Sequence, residues 1–152
     1  MRSVFPTVIY QDRLSNEELV RDLEAAVWML EDGDEAGRAW CDRHNYPGYT
    51  SYASLDDLPK RATAFSDLAD NLSRHAACFA EALHWDLDGR ALRLDALWVN
   101  VLGEGGVHSG HIHPGSVVSG TVYVAMPPGA GPIKFEDPRL SAMMAAPQVR
   151  DD

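Results

Sequence analysis

Trp98-Val-Asn-Val-Leu-Gly-Glu-Gly-Gly-Val-His108-Ser-Gly-His111-Ile-His113-Pro114 is the most informative stretch of this chain. Three of the six histidines fall within six residues here, and two form a His-x-His pair just after a glycine-rich turn. In an extended backbone the side-chain period of two puts His111 and His113 on one face. Two imidazoles side by side suit a divalent transition metal; the plainer alternative is a pair of surface histidines. The run that follows, Val117-Val-Ser-Gly-Thr-Val-Tyr-Val-Ala125, reads as a buried strand. The pair is therefore expected to line a cavity.

Upstream of this stretch, Leu92, Leu94, Ala96 and Trp98 alternate with Arg93, Asp95 and other residues, the period of a half-buried strand continuing through Asn100 to Leu102. Downstream, Pro127-Pro-Gly-Ala-Gly131 predicts a tight turn and Ile133-Lys-Phe135 a short strand before Asp137-Pro138. The first 90 residues have a different texture. Residues 4–10 are strand-like, with Pro6 confining them to an edge. Ser15-Asn-Glu-Glu18 has the form of a capping box, and Leu19, Leu23, Ala26, Val27 and Leu30 recur at helical spacing, predicting a helix over about residues 16–31. A brief helix is expected near residues 36–42, then a turn at Asn45-Tyr-Pro-Gly-Tyr49. Ser54-Leu-Asp-Asp57 and Pro59 announce a second long helix whose apolar stripe is Phe65, Leu68, Ala69, Leu72, Ala76, Phe79 and Leu83.

The reading is a single domain over residues 1–152, helical over 1–90 and β-rich over 91–152. Two helices followed by strands separated by turn signals indicate α+β, with an antiparallel sheet or jelly roll. His44 falls in a loop, His75 on the second helix between stripe positions, and His84 at that helix's end; none is expected to do chemistry. Cys41 and Cys78 lack metal-ligand spacing, and Cys78 reads as a small core residue.

Composition sets limits on partners. With 13 Lys and Arg against 23 Asp and Glu, the net charge is −10, and no basic run is present, which argues against nucleic acid and anionic lipid. No segment approaches the roughly 18 consecutive apolar residues of a membrane span, and no signal peptide is evident at the N-terminus. A cytoplasmic, thiol-reducing location is the default expectation.

From Trp98 to Pro138 the chain resembles the Fe(II)- and 2-oxoglutarate-dependent oxygenases, in particular a bacterial and phage group with the pattern W-x-N, H-x-H-P, S-G-x-x-Y. The matching residues are Trp98, Asn100, His111, His113, Pro114, Ser119, Gly120 and Tyr123. The resemblance implies a double-stranded β-helix (jelly roll), preceded and flanked by two helices, with Fe(II) and 2-oxoglutarate as cofactors. It implies His111 as the first metal ligand. His113 stands where the wider superfamily carries a carboxylate, and a neutral imidazole there leaves the site more positive. Asn100 and Tyr123 become candidates for holding 2-oxoglutarate; the alternatives are a strand-end amide satisfying backbone and a core tyrosine with its hydroxyl satisfied. Trp98 reads as core, and His108 as lying off the ligand face.

Related oxygenases supply a distal histidine and a cation for 2-oxoglutarate from further strands. No histidine follows His113, and Lys134, Arg139 and Arg150 are the cations there, none in a matching context. The 152 residues therefore read as an incomplete version of a longer protein, lacking the closing strands. Exposed strand edges would then favour a homodimer. The leading expectation is an oxygenase that hydroxylates an unidentified substrate, with a small-molecule substrate or cosubstrate as its partner. The alternatives are a cupin-like metal protein (a three-histidine dioxygenase or an isomerase) and a non-catalytic jelly-roll binding domain. The acid that a cupin pattern requires is missing from residues 114–122.

Overall fold

A computed structural model of the chain describes residue 2 and residues 5–136. The first element is helix α1, Glu17–Gly33. Its cap is Asn16, one residue beyond the expected Ser15: the Asn16 side chain accepts from the N–H groups of Glu18 and Leu19, both at 3.1 Å. Glu17 and Glu18 then face the positive end of the helix.

Asp34 both closes α1 and opens α2, Glu35–His44. Its N–H donates to the Leu30 carbonyl at 2.8 Å, while its carboxylate accepts from the Gly37 N–H at 2.9 Å. A β-carbon on Gly37 would be driven into that carboxylate, so the close packing here requires glycine. Helix α2 ends at Asn45, whose left-handed φ of 52° suits an asparagine.

Strand β1, Gly48–Thr50, pairs antiparallel with β2, Asn100–Leu102, in the register Gly48 to Leu102, Tyr49 to Val101 and Thr50 to Asn100. Beyond the pair, buried Ser51 continues the join. Its N–H donates to the Val99 carbonyl (3.1 Å), and its hydroxyl accepts from the Val99 N–H (3.2 Å) and donates to the Leu55 carbonyl (2.8 Å). A single bridge, Asp57 to Leu97, follows. A 3-10 turn at Leu58–Lys60, with Pro59 near its start, leads into α3, Thr63–Ala82.

The core lies between α1, the 3-10 turn and α3. Leu19, Leu23, Leu58, Phe65 and Leu68 are buried together, and Leu72, Leu97, Val99, Val122 and Val124 pack around them. Each such side chain, fully buried, contributes roughly 1.5–3 kcal/mol of transfer free energy. The membrane expectation has a limited counterpart: no helix among the described residues is long and apolar enough to cross a bilayer.

The β half is less regular than its sequence suggests. The fold is α+β, with three α-helices and a two-stranded antiparallel sheet; the described residues form no other ladder. Residues 117–125 and 133–135 form no strand, with bends at 117, 118 and 124, and Val117 and Phe135 are exposed. The described part of the predicted N-terminal strand, residues 5–10, forms no strand and is exposed, and Val4 lies outside the described residues, as do Asp137, Pro138, Arg139 and Arg150. The 92–98 alternation holds only in part: Leu92 and Ala96 are half-buried and Arg93 and Asp95 exposed, but Leu94 is exposed and Leu97 and Val99 meet the core. A period of two fixes which residues share a face but not which face is covered.

Smaller corrections concern single residues. His44 belongs to the last turn of α2, where its ring stacks on Trp40 with centroids 4.1 Å apart. Cys78 is exposed, whereas Cys41 is the buried cysteine. Ser54-Leu-Asp-Asp57 does not start α3; Ser54 instead donates to the Asp34 carboxylate at 2.5 Å. The glycine turn at residues 103–106 and the proline turn at 127–131 form as predicted, closed by Gly106 N–H to Gly103 O (2.9 Å) and Ala130 N–H to Pro127 O (3.0 Å).

Candidate metal centre

The segment that leads into β2, residues 97–100, divides its residues between two environments. Leu97 and Val99 turn into the helical core, so Trp98 and Asn100 face away from it, toward the segment carrying the histidines. The tight turn after β2 brings residues 108–113 back against that face.

His111 and His113 point their Nε2 atoms at each other, 2.9 Å apart. That separation can be compared with metal geometry. Two cis nitrogens of an octahedral ion at bond lengths of about 2.1 Å stand about 3.0 Å apart, and those of a tetrahedral ion about 3.4 Å. The separation is that of an ordinary N–H···N hydrogen bond and is also close to that of two adjacent corners of a six-coordinate divalent metal. The opposite nitrogens are occupied. His111 Nδ1 donates to the Ser109 carbonyl at 2.8 Å, and His113 Nδ1 lies 2.5 Å from the Ser119 hydroxyl. Metal-bound histidines characteristically engage their second nitrogen in this way.

An aromatic wall stands behind His113. The Trp98 ring meets it edge-on with centroids 5.6 Å apart, and Tyr52 meets Trp98 at 5.2 Å. Trp98 is thus a wall of the site, contrary to the core role expected of it. His108 is closer to the pair than its spacing suggested: its ring contacts that of His111 with centroids 4.6 Å apart. Partial desolvation, followed by the neighbouring His111 and His113, holds the His108 pKa below its ordinary value.

Tyr46, from the loop between α2 and β1, ties this group to the helical half. Its hydroxyl donates to Asn100 Oδ1 at 3.3 Å and lies 2.9 Å from His108 Nδ1. Sequence reasoning did not find Tyr46 or Tyr52, since nothing local marks a tyrosine in a turn as a partner of residues some fifty positions away. Ser119 was visible in the S-G-x-x-Y pattern, but its contact with His113 was not foreseen.

Among the predicted site residues, the fold brings His111, His113 and Asn100 to one side of β2. Tyr123 is not gathered with them: Val122 and Val124 pack on the core, and Tyr123 is 49% exposed, with neither a hydrogen bond nor a ring contact to the histidines. Among the described residues, no three His, Cys, Asp or Glu side chains form a metal-binding group. Lys134 is exposed and lies outside the histidine group.

No curated protein matches the chain. Residues 96–152, a little over a third of the chain and including both histidines of the pair, match the model of a family described as putative 2OG-Fe(II) oxygenase.

Proposed function

We propose that this chain is a non-haem oxygenase that uses Fe(II) and 2-oxoglutarate to hydroxylate a small-molecule substrate, and that its matching segment belongs to a double-stranded β-helix. One observation carries the reading: within the segment that matches the oxygenase family, two imidazole nitrogens face each other at the spacing of adjacent metal corners. In this reading His111 and His113 hold the metal. Asn100 offers an amide to 2-oxoglutarate on the same side of β2, whereas Tyr123, which lies apart from the histidines, would reach the cosubstrate only if its segment moved toward them. When bound, the metal with 2-oxoglutarate and O₂ would supply the oxidising chemistry, which these side chains alone cannot.

The chain's own contribution is positional. The Ser109 carbonyl can only accept, so it keeps a proton on His111 Nδ1 and leaves Nε2 as the donor atom. Trp98, with Tyr52 packed on its other side, covers one flank of His113 with apolar ring surface and limits the approach of water from that side. Asn100 is held by Tyr46, which fixes the direction of its amide.

The test is anaerobic addition of Fe(II) and then 2-oxoglutarate to the protein. A weak visible charge-transfer band that needs both additions is the expected result. Metal uptake without that band would instead favour a cupin-like metal protein, and no uptake of Fe(II) would overturn the metal-centre reading.

A further inference from the structure

The two histidines are held by different kinds of partner. His111 Nδ1 faces a backbone carbonyl, which has no proton to give, so that nitrogen must be the protonated one. His113 Nδ1 faces the Ser119 hydroxyl, which can donate or accept. With His111 fixed, Nε2 of His111 presents a lone pair toward Nε2 of His113 only 2.9 Å away. Two lone pairs at that distance repel, so a proton or a cation belongs between them.

In the neutral metal-free protein that proton is on His113 Nε2, and the Ser119 hydroxyl then donates to His113 Nδ1. With a metal between the rings, His113 must surrender Nε2 and carry its proton on Nδ1, and Ser119 must accept. A hydroxyl makes this change by rotating about its C–O bond, with no movement of the backbone. A carbonyl or an ammonium in its place could satisfy only one of the two states.

We propose that Ser119 is a positioning residue that permits His113 to exchange tautomer and then holds the metal-binding form. The inference rests on the reading of His111 and His113 as metal ligands and extends it to the residue that makes His113 competent. It also gives the serine of the S-G-x-x-Y pattern a physical task. Ser119 meets His113 from only six residues further along the chain.

The test uses the whole chain with Co(II) and Zn(II) as probes. Co(II) titration followed by visible absorption should show Ser119→Ala binding about 10–100-fold more weakly than the parent, the usual loss when such a partner is removed. Ser119→Thr, which retains the hydroxyl, should recover most of that loss. Long-range ¹H–¹⁵N spectra of the parent should show His113 protonated at Nε2 without metal and at Nδ1 with Zn(II), with His111 protonated at Nδ1 in both. Parent protein that takes up Co(II), together with Ser119→Ala that binds it equally well, would overturn the inference and leave the metal site standing. The same holds for a His113 tautomer that does not change on Zn(II) addition, a readout that does not depend on whether Ser119→Ala folds. Parent protein that takes up neither ion would instead remove the metal-site reading itself.

Discussion

The Tyr46 hydroxyl sits 2.9 Å from His108 Nδ1 and 3.3 Å from Asn100 Oδ1, joining the α2–β1 loop to two residues of the candidate site at one atom. Removing it should loosen the site more than the fold. Tyr46→Phe is expected to cost about 0.5–1.5 kcal/mol of stability in urea unfolding. It should also weaken 2-oxoglutarate binding several-fold through the freed Asn100 amide, as read by the Fe(II)-dependent absorption band.

The same tyrosine has an alkaline signature. Burial, followed by the nearby Cys41, pushes its pKa up to about 12. A folded-state value above the unfolded one means that the contribution is complete below about pH 10 and is lost as pH rises toward 12. Stability measured against pH should fall across that interval, and Tyr46→Phe should flatten part of the fall.

Asp34 behaves in the opposite sense. Burial alone would raise its pKa, but donation from Ser54, the Gly37 N–H and Tyr49, with Arg38 nearby, outweighs this and holds the carboxyl below its ordinary value. Its stabilising contribution is present above about pH 4 and lost as pH falls through the depressed folded value. Asp34→Ala removes the cap of α2 and strands the buried Tyr49 hydroxyl, so it should cost about 2–4 kcal/mol in urea unfolding. Acid unfolding of this variant should shift to higher pH.

His111→Ala separates metal binding from folding. Its side chain is exposed and outside the core cluster, so the expected change in unfolding free energy is within about 0.5 kcal/mol. Co(II) uptake should nevertheless be abolished. A variant that retains parent-like Co(II) affinity would show that the cation is held elsewhere.

Leu23→Ala tests whether the helical half supports the site. Leu23 is fully buried between α1 and its neighbours, and truncation should cost about 2–5 kcal/mol. Because Leu97 and Val99 pack on the same core, metal affinity should fall along with stability and not independently of it.

The helices were legible in the sequence because their signals are local: apolar residues at helical spacing and a capping asparagine beside the expected serine. The histidine pair was legible for the same reason, since its two members are separated by one residue. The β half was harder to read. Alternation at 92–98 and the valine run at 117–125 record which side chains share a face, but strand pairing depends on a partner that local sequence does not name. Trp98 was therefore placed in the core, whereas its neighbours Leu97 and Val99 occupy it. The contacts of Tyr46 and Tyr52 join distant parts of the chain, and no spacing rule reaches that far.

The β1–β2 join has an implication for anyone borrowing this histidine cluster. Tyr46, Tyr52 and the Ser51 clasp all come from before residue 60, so a transplant of residues 98–119 alone would carry the ligands into a host without their scaffolding. Such a graft should chelate loosely and with poor discrimination among ions, until the α2–β1 corner is transferred with it.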